Sequence, residues 1–213
     1  MRRIMSVLLA VLTTLSVVSQ DKSNDIRMQW SGGVKVEANL SQFVVSPKEA
    51  LLSYSNVGAS MGGFVRLDLV KNFTIQGELL VHYKNSLVKD SVVNHVGYWG
   101  LEVPIYAIYN LRFDKGDSMN FGIGPYCEFG LNAKLWTPKG SKNLYDTNRR
   151  GEMQAMGASN SGFGVIIGYE TTFGLQVNAT YKISITNILD ANSNKAALYP
   201  MAASLGFAYR WGK

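Results

Sequence analysis

The 213-residue chain carries 21 basic and 15 acidic side chains, two histidines and a single cysteine, for a net charge of +6. The lone Cys127 excludes an intramolecular disulfide and a thiolate metal cluster. The balanced mean hydropathy excludes a bundle of membrane helices, and the charge is too mild to imply a nucleic-acid partner.

The N-terminus reads as an export signal. Arg2 and Arg3 precede an apolar run, Ile4 to Val18, interrupted only by Ser6, Thr13, Thr14 and Ser16. Such a run is too short and too hydroxylated for a membrane helix and fits a secretory signal peptide over residues 1–19. Small Val17 and Ser19 suit the −3 and −1 positions of a cut before Gln20. No cysteine follows the run, which argues against a lipid anchor. Loss of Arg2 and Arg3 leaves 19 basic against 15 acidic residues, a mature charge of +4. Residues 20–28 are expected as a periplasmic leader and residues 29–213 as the folded domain.

Downstream, side chains alternate with a period of two, the signature of strands. The first strand, about 29–40, sets Trp30, Val34, Val36, Ala38 and Leu40 against Lys35, Glu37 and Asn39. A loop over 41–56 leads to a hairpin. Its first arm puts Val65, Leu67 and Leu69 opposite Phe64, Arg66 and Asp68. Its second arm sets Phe73, Ile75, Leu79, Val81 and Tyr83 against Gln76, Glu78, Leu80, His82 and Lys84. After a loop at 85–97, the fourth strand alternates Trp99, Leu101, Val103 and Ile105 with Glu102 and Tyr106. The fifth sets Phe121, Ile123, Pro125, Cys127 and Phe129 against Asn120, Gly122, Gly124, Tyr126 and Glu128. An irregular piece spans 137–160. The sixth strand runs 162–170, with Gly164, Gly168 and Glu170 on its polar face, and the seventh runs 175–184 with Thr180 and Lys182 on its own. The last, 201–211, ends Tyr209-Arg210-Trp211.

The second arm of the hairpin has about a dozen residues, long for a soluble strand and enough for the ~9–11 needed to cross a bilayer with tilt. Eight strands joined by links that alternate long and short predict an eight-stranded antiparallel up-and-down transmembrane β-barrel, all-β, with a filled polar lumen. A soluble lipocalin-like barrel would invert the faces. The aromatics decide for the membrane. Trp30, Phe73, Phe113, Phe121, Phe173 and Trp211 gather at the short-turn end, and Tyr83, Trp99, Phe163 and Tyr181 lie towards the long-loop end. Short turns are expected in the periplasm with both termini, and long loops outside. Pro104 and Pro125 cannot donate to a ladder and are expected at bulges or rims.

Three stretches carry a family resemblance. Leu101-Glu102-Val103-Pro104-Ile105, Gly122-Ile123-Gly124-Pro125-Tyr126 and the closing Ser204–Trp211 resemble the PorT-like outer-membrane barrels of Bacteroidetes. That resemblance implies an outer-membrane location and, for some members, a role in protein secretion. One departure is that Gly212-Lys213 follow the terminal aromatic Trp211.

The inward face is expected to hold a charge network of Lys35, Glu37, Arg66, Asp68, Glu78, His82, Lys84, Glu102, Glu128, Glu170, Lys182 and Arg210. Buried charges must pair to be tolerated, so these residues are read as a plug; the competing reading is a proton or small-ion path. Lys139, Lys142, Arg149 and Arg150 in the 137–160 loop are candidate contacts for lipopolysaccharide phosphates or an acidic protein. His95 beside Asp90, Ser91 and Asn94 is the only hint of a hydrolase, acting on lipid A. No phosphate loop or metal spacing is present. The expected function is a non-enzymatic, cofactor-free outer-membrane anchor or scaffold whose loops or rim meet lipopolysaccharide or an envelope or secretion protein. A narrow channel is the alternative.

Overall fold

The computed structural model describes residues 28–46, 52–89, 93–137, 140–144, 157–188 and 197–212. The signal-peptide reading of residues 1–19 lies outside the described residues, as does nearly all of the leader. The described chain forms β1 (Gln29–Ser46), β2 (Leu52–Val70), β3 (Phe73–Lys89), β4 (Val93–Arg112), β5 (Ser118–Thr137), β6 (Gly140–Asn143), β7 (Ser159–Glu170), β8 (Leu175–Ser184) and β9 (Ala197–Trp211). Antiparallel neighbours follow chain order except that β5 pairs directly with β7. The sheet closes where β1 meets β9, from Gly32↔Trp211 to Ser46↔Ala197. Eight strands therefore form the closed barrel, and β6 only doubles back on the end of β5.

The period-two pattern sorts side chains onto two faces. In β8 every residue from Leu175 to Ile183 on the apolar parity is exposed, and Gln176, Asn178, Thr180, Lys182 and Ser184 are buried. The exposed set continues around the barrel through Val34, Val65, Leu79, Ile105, Ile123, Val165 and Leu205. A wall apolar outside and polar inside is the arrangement a bilayer requires. The girdle aromatics named above point outward, with Phe73 edge-on to Tyr109 at 5.3 Å and Tyr83 tilted against Trp99 at 5.1 Å.

Three features depart from the sequence pattern. First, the strands run far past the apolar band. β2 has 19 residues and β4 and β5 have 20 each, about twice what a bilayer crossing needs. The stretches expected as loops, 41–56 and 85–97, are mostly strand, with Ser41 opposite Asn56, Ser55 opposite Ser86 and Asn85 opposite Gly97. Beyond the lipid no apolar face is needed, so the ladder continues through serines and asparagines that carry no alternation. For the same reason β6 sits in the piece expected to be irregular.

Second, the pairing of β4 with β5 steps from Trp99↔Asn132 to Gly100↔Gly130, leaving Leu131 as an extra residue. This bulge reverses the parity of β5, so Ala133 turns inward after the inward Glu128. Third, Pro104 and Pro125 are neither at rims nor at bulges. They lie in mid-wall, in unshifted register, and the ladder is only interrupted beside them. The gap on the β3 side falls between Gly77↔Ile105 and Leu80↔Glu102. On the β5 side it falls between Pro104↔Tyr126 and Ala107↔Ile123. A missing N–H removes a hydrogen bond without forcing an inserted residue.

The short turns at 113–117 and 171–174 each contain an i→i+3 hydrogen bond, from Gly116 to Phe113 at 2.9 Å and from Gly174 to Thr171 at 3.1 Å. Both glycines have positive φ, 89° and 92°, which an L side chain would resist.

Candidate functional site: the barrel interior

Inward parity brings charged residues from all eight barrel strands into a lumen that eight strands make only wide enough for side chains. They segregate into three tiers. Nearest the short turns, Arg66 and Asp68 of β2, Glu170 of β7 and Arg210 of β9 form a closed ring. Arg66 reaches Asp68 at 3.3 Å and Glu170 at 3.0 Å, and Arg210 reaches Asp68 at 3.5 Å and Glu170 at 2.5 Å. Uncharged partners hold it: Arg66 donates to Asn110, Thr74 donates to Asp68 at 2.5 Å, and Gln176 donates to Glu170 at 3.1 Å.

In the middle tier Lys35 lies between Glu37 at 2.7 Å and Glu78 at 3.1 Å. Gln76 donates to the other Glu78 oxygen at 2.7 Å. Thr180 of β8 donates to Glu37 Oε1 at 3.4 Å. The third tier joins Lys84 to Glu102 at 3.0 Å and to Glu128 at 2.5 Å, and Lys182 to the second Glu102 oxygen. His82 Nε2 approaches Glu128 at 3.1 Å. All five inward Lys and Arg side chains and all six inward carboxylates named from the sequence have an opposite charge within 4 Å. Each of these charges therefore has an opposite neighbour inside the lumen, which presents no continuous lining of one sign for an ion to follow.

Apolar side chains fill the space between and above the tiers. Tyr106, Ile108 and Ile166 form a buried cluster in mid-lumen. The inward glycines of β5 and β7 are filled space: a methyl at Gly122 would meet Ile166 at 2.7 Å and Ile108 at 2.9 Å, and one at Gly164 would meet the Tyr106 hydroxyl at 3.1 Å. Towards the long-loop end Phe43, Val96, Tyr98, Ala133 and Ile188 are packed together, with Leu135, Leu144 and Leu198 against them. This apolar layer caps the charged tiers. Sequence alternation missed it, because it is built from the strand extensions, the parity reversal at Leu131 and residues beyond the strands.

The remaining candidates do not assemble. His95 is exposed at the long-loop rim, opposite Trp136 in the ladder. Asp90 and Ser91 lie outside the described residues, and so do Lys139, Arg149, Arg150 and the side chains of Asn94 and Lys142. Among the described residues no group of His, Cys, Asp and Glu is arranged to hold a metal ion. Cys127 faces outward from the wall.

The family model described as "Outer membrane protein beta-barrel domain" matches residues 18–190. Among solved structures, OprG from Pseudomonas aeruginosa is similar at a TM-score of 0.52 and 11% identity, covering 88% of this chain and 98% of its own. Ail of Yersinia pestis, solved in complex with the heparin analogue sucrose octasulfate, is similar at 0.46 and 14% identity over 86% of this chain and 100% of its own. Neisserial surface protein A is similar at 0.47 and 13% identity, over 84% and 96%. At 11% identity the likeness to OprG speaks to fold alone. No curated protein matches the sequence.

Proposed function

Because the chain belongs to the outer membrane protein beta-barrel domain family, we propose that it is a non-enzymatic, non-conducting anchor of the bacterial outer membrane. Its strand extensions present a recognition surface above the lipid. The observation that carries this reading is the filled interior: three paired charge tiers beneath an apolar cap. Residues 1–19 then direct export. The short-turn end, with both termini, faces the periplasm, and the long hairpins face outward. Lys139, Lys142, Arg149 and Arg150 in the outward 137–160 loop suit lipopolysaccharide phosphates or an acidic envelope or secretion protein. The PorT-like motifs favour the secretion setting.

Purified protein in a planar bilayer is expected to be silent, while Arg66→Ala and Glu128→Ala, which open their tiers, admit leak. Water-filled pores in this class take ~16 or more strands. Steady single-channel steps from the wild type would instead establish the narrow channel. Orientation is tested in a Cys127→Ser background with Asn56→Cys near the long-loop rim and Thr172→Cys in a short turn. A membrane-impermeant maleimide on intact cells should label position 56, and label position 172 only once the outer membrane is permeabilised. The reverse order would invert the barrel.

A further inference from the structure

A cavity of about 100 Å³ opens at the short-turn end of the lumen, lined by Gln29, Arg66, Asp68, Asn110, Arg112 and Arg210. Three guanidiniums thus converge from β2, β4 and β9. Asp68 lines the same cavity, and Glu170 pairs with both Arg66 and Arg210. Inside the mouth three fixed positive charges stand against two carboxylates, an excess of one cation. Of the adjoining turn, whose Gly116 also lines the cavity, Asp114 and Lys115 are exposed and Asp117 accepts from Tyr169 and Thr172. Guanidinium does not relieve that excess by losing a proton.

The donors are also in surplus. Arg210 is buried, and its Nε has no partner among the described residues. Arg112 has no acidic partner among the described residues. The neutral groups do not compensate as they stand: the Asn110 carbonyl oxygen accepts from Arg66, and neither it nor the Gln29 carbonyl oxygen accepts from Arg112 or from Arg210 Nε among the described residues. A buried donor without an acceptor is costly. A cavity of this size holds several waters or one small tetrahedral oxyanion.

We propose that the short-turn mouth of the barrel is a binding site for a phosphate group, held by Arg112 and Arg210 with Arg66 behind them. A phosphate oxygen supplies the acceptor that Arg210 Nε lacks, and a second engages the fork of Arg112. Trp30, Trp211 and Phe73, of the aromatic girdle at this same end, mark the height of one membrane interface. The group therefore comes either from free phosphate or from the headgroup of a phospholipid in that leaflet. The site depends on neither the orientation of the barrel nor its silence in a bilayer.

The test uses full-length protein in maltoside micelles, free of phosphorus. Inorganic phosphate is titrated by calorimetry into wild type, Arg112→Ala and Arg112→Lys. In a second arm phosphatidylglycerol is added at a few molar equivalents and retained lipid is counted by native mass spectrometry. Arg112 is exposed, and the unfolding midpoint without ligand should be unchanged in both variants. The expected result is binding in at least one arm, weakened about tenfold or more in Arg112→Ala and partly restored by lysine, as for a lost charge-assisted hydrogen bond. Binding of free phosphate assigns a soluble ligand; retained lipid without phosphate affinity assigns a headgroup. Binding in neither arm, or equal binding by wild type and Arg112→Ala, overturns the site.

Discussion

Glu102→Ala should destabilise the folded barrel by about 3–5 kcal/mol, the cost of removing one partner from a buried ion pair. Glu102 holds Lys84 at 3.0 Å and also Lys182, and all three side chains are almost fully buried. The two lysines then fare differently. Lys84 keeps Glu128 at 2.5 Å. Lys182 has no other ion pair within 4 Å among the described residues, so its ammonium is left uncompensated beneath the apolar cap. Glu102→Gln should fall between, since the amide still accepts a hydrogen bond. Glu102→Leu combined with Lys182→Met should recover much of the loss, because well-packed apolar groups often replace a buried pair at little cost. Urea unfolding in lipid vesicles, followed by tryptophan fluorescence, reads all three. A loss for Glu102→Ala below about 1 kcal/mol would show that water solvates this tier, and with it would fall the plugged lumen.

The lipid-facing wall and the identity of the inward charges were legible in the sequence because the same constraint writes both. A strand crossing a bilayer must alternate, so Lys35, Glu78, Glu102 and Lys182 reveal their side by their odd position among apolar neighbours. Which of them meet was not legible. Glu102 on β4 meets Lys182 on β8 across the lumen, and that depends on the stagger of strands around the barrel, which alternation does not encode. The apolar filling was half legible. Phe64 and Leu80 stand on the polar parity of the β2–β3 hairpin, and each is buried inside. A glycine opposite such a residue is the available signal. At Gly33 a methyl would meet the Phe64 ring at 2.2 Å, and at Gly100 it would meet His82 at 2.6 Å. The strand extensions left no signal, since above the lipid neither face has to be apolar. The cap made by Phe43, Val96, Tyr98 and Ala133 inherits that silence.

The two faces of the wall should answer oppositely to the same substitution. Leu79 is 57% exposed on the outer surface, midway along β3. Arginine there meets hydrocarbon on every side, with no acidic partner within reach on its own face, where Val65 and Val81 are neighbours. Leu79→Arg is expected to cost about 2–4 kcal/mol and to lower the folded fraction in vesicles. Thr180 faces inward and donates to Glu37 Oε1 at 3.4 Å, while Glu37 Oε2 has no hydrogen-bond partner among the described residues. The middle tier holds one lysine against two glutamates, so an added guanidinium at position 180 enters where a negative charge is in excess. Its penalty is steric, because the space beside Gly206 on the neighbouring strand is already taken by Glu37, whose Cγ would lie 2.6 Å from a methyl there. Overpacking of that kind costs roughly 1–3 kcal/mol, and the new ion pair offsets part of it. Thr180→Arg should therefore remain closer to wild type than Leu79→Arg in urea midpoints measured in the same vesicles. If the ranking is reversed, the face assigned to lipid is the inner one, and the chain folds as a soluble barrel with its charges in water.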